Sequence, residues 1–155
     1  PPKSVTWASL LPAIAKAEED QVILGRKNGG HLVSISLSED SPHVLMSGAS
    51  GTGKSVLGRV FLVQRLMAGD GVVMLDPKKF SHWRWAGGGK LPRDRVIYAY
   101  RDADLHDAWL AVAAEGARRI ELEEDELAQQ RRVFVVAEEL PAFFHQRVER
   151  LSPVL

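Results

Sequence analysis

Short apolar runs alternate along the chain with longer segments whose apolar residues recur at helical spacing. The runs at 72–75 (VVML) and 133–137 (VFVVA) are continuous, which is typical of parallel strands buried on both faces. Residues 42–47 (PHVLMS) and 95–98 (RVIY) predict two further strands, the first of them short and buried. This order of elements predicts an α/β fold with a mainly parallel central sheet flanked by helices.

Helices and a hairpin complete the predicted elements. Helical spacing is found at 4–19, 56–67 and 102–122. Ser4 could cap the first helix, which either packs on the domain or forms an arm that contacts a neighbouring subunit. Residues 21–24 and the alternating run 31–37 flank Asn28, Gly29 and Gly30, so we expect an N-terminal β-hairpin.

A glycine-rich segment lies between the strand predicted at 42–47 and the helix predicted at 56–67. Glycines let a backbone curl so that successive N–H groups point at a phosphate chain, and the following helix adds its positive end. Lys54 can then reach the β- and γ-phosphates, and the Ser55 hydroxyl can ligate Mg²⁺. The segment fits G-x-x-x-x-G-K-[ST], the P-loop pattern, with Gly48, Ala49, Ser50, Gly51, Thr52, Gly53, Lys54 and Ser55. These residues and the adjacent Val56 are the predicted nucleotide-binding set; the alternative is a glycine-rich turn without nucleotide.

Polar residues follow two of the predicted strands. Asp76 and Lys78 come after the run at 72–75, and Glu138 and Glu139 come after 133–137. Ligands of α/β proteins bind at the carboxyl ends of parallel strands, so Asp76 and Lys78 are site candidates, and Asp76 joins the predicted nucleotide-binding residues. The alternatives are a solvated turn at Asp76 and two solvated acids at 138–139.

The paired glutamates also suggest a catalytic role. In P-loop ATPases the strand next to the P-loop strand ends in an acid that holds Mg²⁺, and a following Glu orients the attacking water. We therefore predict Ser55 and Glu138 as Mg²⁺ ligands, and Glu139, Glu138 and Lys54 as the catalytic residues. The first acid is usually Asp, and Glu138 is one methylene longer, which contact through a water would tolerate.

Composition narrows the class of protein. The 155 residues are 45% hydrophobic and 26% charged, so we expect a packed core rather than disorder. The formal net charge is zero, so any nucleic-acid surface has to be local. Without cysteine there are no disulfides or thiolate metal sites. We see neither a signal peptide nor an apolar run of roughly 20 residues, so the cytoplasm is the expected location. A start at Pro1 rather than Met suggests a piece of a longer protein, so a membrane anchor elsewhere stays open.

Two further segments have unusual compositions. Residues 80–89 (FSHWRWAGGG) combine tryptophans, an arginine and glycines, which indicates either nucleic-acid stacking or a loop held by its aromatic side chains. Residues 121–132 are highly charged and are most simply a solvated helix end or connection. After residue 140, two phenylalanines indicate the start of another helix.

Taken together, these segments resemble the FtsK/SpoIIIE family of ATP-driven DNA translocases over roughly residues 22–140. The resemblance lies in the hairpin and SPHVLMSGASGTGKSV, in VVMLDPKKF, in the helix with Glu115, Arg118 and Arg119, and in FVVAEEL. The Glu-Glu form is closer to the actinobacterial plasmid-transfer and conjugation branch.

The resemblance implies a RecA-like P-loop ATPase that uses ATP and Mg²⁺ and assembles as a hexameric ring around double-stranded DNA. Residues 1–20 would then be an N-terminal helix or arm, and 21–155 an ATPase domain incomplete at its C-terminus. An arginine from a neighbouring subunit would reach the γ-phosphate. Two alternatives remain: a protein-export ATPase like those of type VII secretion, and a nucleotide-binding module without turnover.

Overall fold

The computed structural model describes residues 5–79, 91–92 and 94–139. The chain divides into two compact units, Pro1–Ala68 and Gly69–Leu155. Three sequence-based predictions lie outside the described residues: the Ser4 cap, the aromatic segment at 80–89 and the helix after residue 140.

Helix α1 (Trp7–Ile14) opens the first unit and is shorter than the predicted helix at 4–19. Its cap is Thr6, whose side chain accepts a hydrogen bond from the Ser9 N–H at 3.3 Å. It ends early because the N–H groups of Lys16 and Ala17 bind carbonyls three residues back, which tightens the chain into turns. Its apolar face packs Leu10 and Ile14 with Ile23 of the following strand.

The predicted hairpin is confirmed. Strands β1 (Gln21–Arg26) and β2 (Leu32–Ser36) pair antiparallel, with an irregularity between Ile23 and Gly25. Gly29 and Gly30 have φ of 85° and 81°, a left-handed conformation that suits glycine in the turn. At the other end of the hairpin, the Asp20 carboxylate accepts hydrogen bonds from the Ser36 and Ser38 hydroxyls, which lower its pKa to about 2.

Two side chains of helix α2 (Lys54–Met67) form hydrogen bonds with the backbone of β1 and of the residues just before it. Gln64 is buried, and its amide accepts from the Ile23 N–H at 2.8 Å and donates to the Ile23 carbonyl at 2.9 Å. Arg65, also buried, donates to the Glu19 carbonyl at 2.6 Å. With Phe61 and Leu62 buried on the same helix, these bonds fix the helix that follows the glycine-rich segment.

The prediction of a buried strand at 42–47 is wrong. Neither described sheet includes these residues, and the Leu45 side chain is 85% exposed. A run of three apolar residues has no strand geometry of its own unless another strand supplies hydrogen-bond partners. Of the predicted sequence of strand, glycine-rich loop and helix, the structure therefore contains the loop and the helix but not the strand.

The second unit contains a three-stranded parallel sheet of β3 (Gly71–Leu75), β4 (Val96–Ala99) and β5 (Val133–Ala137), in the order β4-β3-β5. The register places Val73 beside Ile97 on one side and beside Val135 on the other. Helix α3 (Asp102–Ile120) packs Leu105 and Ala108 against this face of the sheet, and α4 (Glu124–Ala128) is a short exposed helix.

These elements confirm a mixed α/β fold with a parallel sheet flanked by helices. One detail differs from the prediction of a fully buried strand at 133–137. Because β5 lies at an edge of the described sheet, its residues are only half-buried, and Val133 is 41% exposed. The central strand β3 fits the expectation, with four of its five residues buried.

Candidate functional site

The glycine-rich loop is shaped by its main chain. Gly51 and Gly53 have φ of 83° and 96°, and Gly53 is the N-cap of α2, so the loop leads directly into the helix. A Cβ on Gly48 would lie 2.8 Å from the Thr52 hydroxyl oxygen, so a side chain there would displace that hydroxyl. Thr52 closes the curl by donating from its hydroxyl to the Ala49 carbonyl at 2.8 Å.

Lys54 folds back over this curl. Its Nζ donates to the Gly48 carbonyl at 2.8 Å and to the Ala49 carbonyl at 3.0 Å. The ammonium group therefore lies against the carbonyls of the first two residues of the loop. Ser55 lies half-buried in the first turn of α2, while Ser50 and Val56 are exposed.

The other predicted site residues lie at the carboxyl edge of the sheet, where β3 and β5 end. Glu138 donates its backbone N–H to the Leu75 carbonyl at 2.9 Å, so the end of β5 is bound to the end of β3. Lys78 Nζ lies 3.1 Å from Glu139 Oε1, although both side chains are largely exposed. The structure thus brings Asp76, Lys78, Glu138 and Glu139 to the same edge, as expected for parallel strands.

Two residues at this edge have backbone conformations that are uncommon outside glycine. Lys79 has a φ of 58° and Glu139 a φ of 53°. Non-glycine residues at positive φ cost free energy and are concentrated at functional sites. Their occurrence at the ends of adjacent strands marks this edge as a functional candidate independently of its charges.

Asp76 is the most buried residue of the edge, with none of its surface exposed. Its backbone N–H donates to the Ala99 carbonyl at 2.9 Å, and its Oδ2 accepts from the Tyr98 hydroxyl at 2.9 Å. Burial, followed by the hydrogen bond to Asp76, raises the pKa of Tyr98 well above its usual value. Tyr98 therefore stays protonated and holds the Asp76 carboxylate in place.

Sequence reasoning missed the aromatic part of this edge. The Tyr98 and Tyr100 rings are 5.6 Å apart, and the Lys79 ammonium lies 4.6 Å from the Tyr100 ring centroid. Arg101 approaches the same ring at 5.5 Å. The available signal was the alternation in Tyr98-Ala99-Tyr100, because alternate residues at a strand end face the same side.

The helical residues singled out by the resemblance form a separate cluster on the C-terminal half of α3. Glu115 accepts hydrogen bonds from Arg118 at 2.8 Å and from Arg119 at 2.7 Å. These bonds lower the pKa of the Glu115 carboxyl to about 2. Arg119 also donates to the Arg131 carbonyl at 2.7 Å, which joins the end of α3 to the residues before β5.

The two predicted Mg²⁺ ligands, Ser55 and Glu138, belong to different units, so their pairing stays a prediction. Among the described residues, no group of three His, Cys, Asp or Glu side chains is arranged to hold a metal ion.

Within residues 5–79, 91–92 and 94–139, no helix has the length and apolar content that a membrane crossing requires. Comparison of the chain with protein-family models, curated proteins and solved structures finds no match.

Proposed function

We propose that this chain binds ATP at residues 48–55 and is the ATPase domain of a motor that moves duplex DNA, of the FtsK/SpoIIIE kind. The observation that carries the proposal is the form of the loop. Two glycines at positive φ lead into Lys54 at the start of a 14-residue helix. Inward-turned backbone N–H groups and the positive end of a helix are together a recurrent phosphate site.

Lys54 changes partners when ATP enters. The two carbonyls that now accept from its ammonium group are neutral, whereas the oxygens of the β- and γ-phosphates are charged. Charged acceptors form the stronger hydrogen bonds, so exchange toward the phosphates is favourable. The freed loop and Lys54 then hold the charge that develops on the γ-phosphoryl group.

The sequence pattern alone assigns the Ser55 hydroxyl and the Glu138 carboxylate to Mg²⁺, a hard cation that prefers oxygen donors. When bound, Mg²⁺ neutralises charge on the β- and γ-phosphates. By the same sequence pattern, Glu139 would orient the attacking water. Asp76, held by the Tyr98 hydroxyl, lies at the same carboxyl edge of the sheet. A RecA-like sheet, a hexameric ring and duplex DNA as the cargo enter the proposal through the sequence resemblance alone.

The proposal is tested by ATP hydrolysis in the intact protein, with and without duplex DNA. We expect hydrolysis that DNA stimulates, and a loss of at least about a hundredfold in Lys54→Ala, because a group that stabilises the transition state is removed. Lys27→Ala is the matched control, since Lys27 is an exposed lysine in the hairpin turn. Full activity in Lys54→Ala would refute the assignment, and hydrolysis indifferent to DNA would favour a protein-export ATPase.

A second candidate is a nucleotide-binding module without turnover. The contact between Lys78 and Glu139 favours it, because a glutamate engaged by an ammonium group has to leave that partner before it can orient a water. Nucleotide binding without hydrolysis in the intact protein would support this module. In that case Lys78→Ala, which releases Glu139, is expected to leave nucleotide binding intact. ATP hydrolysis that appears in this variant would show that the contact with Lys78 had prevented turnover.

A further inference from the structure

An open cavity of about 450 Å³ lies in the second unit between helix α3 and the sheet. It is lined at the amino edge of the sheet, where β3 and β5 begin at Gly71 and Val133. Asp76 and the paired glutamates follow the other ends of these strands. The cavity is therefore separate from the carboxyl edge and has no part in the proposed ATPase chemistry.

Small side chains on α3 create the cavity. The first half of the helix packs on the sheet through Leu105 and Ala108. Farther along, the residues that face the cavity include Ala111 and Gly116, which leave the space in front of the sheet unfilled. A Cβ added at Gly116 would meet no heavy atom within 4 Å. The opposite wall is apolar, and Ile97 within it is 50% exposed.

Charged groups surround this apolar wall unevenly. Arg95, Arg119 and Arg131 line the cavity, together with the carboxylates of Asp94 and Glu115. Glu115 already accepts two hydrogen bonds from Arg118, so its negative charge is matched before Arg119 is counted. Arg119 is held in position by Glu115 and by the Arg131 carbonyl. The surroundings thus carry an excess of positive charge with planar donors.

We infer that this cavity binds a small organic carboxylate with an apolar body. An apolar cavity of this size with a few polar groups is typical of small-molecule sites, which measure about 300–1,000 Å³. The apolar body lies against Val73, Val112 and Ile97. The carboxylate accepts from Arg119 and Arg131, because guanidinium groups match carboxylates in shape and charge.

The probe for this site is 2-naphthoate, compared with the neutral 2-naphthamide of the same shape, by calorimetric titration of the whole chain. We expect one naphthoate per chain, bound about tenfold more tightly than the amide, because hydrogen bonds to a charged acceptor are the stronger ones. Added salt is expected to weaken naphthoate binding and leave amide binding unchanged.

Two variants locate the site. Gly116→Leu fills the open space on α3 and is expected to abolish binding of both probes. Ala117→Leu adds the same side chain on the next residue, which does not line the cavity, and is expected to bind as the unaltered chain does. Arg131→Gln is expected to narrow the difference between the two probes, because Arg119 remains as the other donor to the carboxylate. Thermal unfolding of each variant identifies any that fail to fold.

Four outcomes would overturn the inference. The first is that neither probe binds to the unaltered chain, and the second is that Gly116→Leu, folded, binds naphthoate normally. The third is that the chain sediments as a dimer which Gly116→Leu dissociates, since a second copy would then fill the cavity. Equal binding of acid and amide to the unaltered chain would refute the role of the arginines.

Discussion

The glycine-rich loop of the first unit and the carboxyl edge of the second are built by different means. In the loop, the shape comes from glycine conformations and from bonds to main-chain carbonyls, made by Lys54 and Thr52. At the carboxyl edge, side chains bind one another: Tyr98 to Asp76, and Lys78 to Glu139. One region depends on which residues lack a side chain, the other on which side chains meet.

The difference predicts how each region responds to substitution. A loop made by its backbone tolerates changes of its exposed side chains but not a side chain on its special glycines. An edge made by its side chains loses much stability when a buried partner is removed, but it loses little when an exposed partner is removed. Four substitutions, in order of expected effect, test this contrast.

Asp76→Ala is expected to have the largest effect, a loss of about 2–3 kcal/mol in the free energy of unfolding, because it removes a buried, hydrogen-bonded carboxylate. Urea unfolding followed by circular dichroism measures it. Asp104→Ala, in the exposed first turn of α3, is the control and is expected to cost less than about 1 kcal/mol. Equal losses in the two variants would contradict a side-chain origin of the edge.

Gly53→Ala is expected to cost about 1–2 kcal/mol, since its φ of 96° is a conformation that a Cβ strains. Gly116→Ala, in the interior of α3 with open space around it, is expected to gain about 0.5–1 kcal/mol instead. The same change thus has opposite signs in the loop and in a helix. Thermal unfolding compares the two, and a gain at position 53 would contradict the loop geometry.

Tyr98→Phe is expected to cost about 1 kcal/mol, because it removes the hydroxyl that donates to Asp76 while the ring remains. A double-mutant cycle with Asp76→Ala separates this bond from the rest of each substitution. The coupling is expected to equal most of the loss in Tyr98→Phe. Simple additivity of the two changes would mean that the pair does not hold the edge together.

Lys78→Ala is expected to change the free energy of unfolding by about 0–1 kcal/mol, because the pair with Glu139 is exposed and screened by solvent. Raising the salt concentration is expected to erase even this difference. Chemical unfolding at low and high salt provides the measurement. A loss as large as that of Asp76→Ala would show that exposed partners also build the edge.

The elements with a strong local pattern could be predicted from the sequence. The continuous apolar run of β3, the hairpin around Gly29 and Gly30, and the long helix α3 all appear close to their predicted positions. The spacing of glycines and lysine predicted a tightly curled loop, and two of those glycines have positive φ; nucleotide binding by the loop stays a prediction.

The predictions failed where the outcome depends on distant partners. An apolar run at 42–47 carries no information on whether a neighbouring strand is present to pair with it. The bond between Tyr98 and Asp76 depends on the register of two strands that are more than 20 residues apart in the chain. The cavity arises from small residues at Ala111 and Gly116, which in the sequence simply favour a helix or interrupt one.

The amide of Gln64 has a consequence for the behaviour of the chain in concentrated solution. A two-stranded hairpin normally offers unpaired N–H and C=O groups along its outer edges, to which strands of other molecules can add. At Ile23 both groups are already bound to one buried side chain. An incoming strand would have to displace this amide from the interior, so Gln64 protects the hairpin from aggregation at that point.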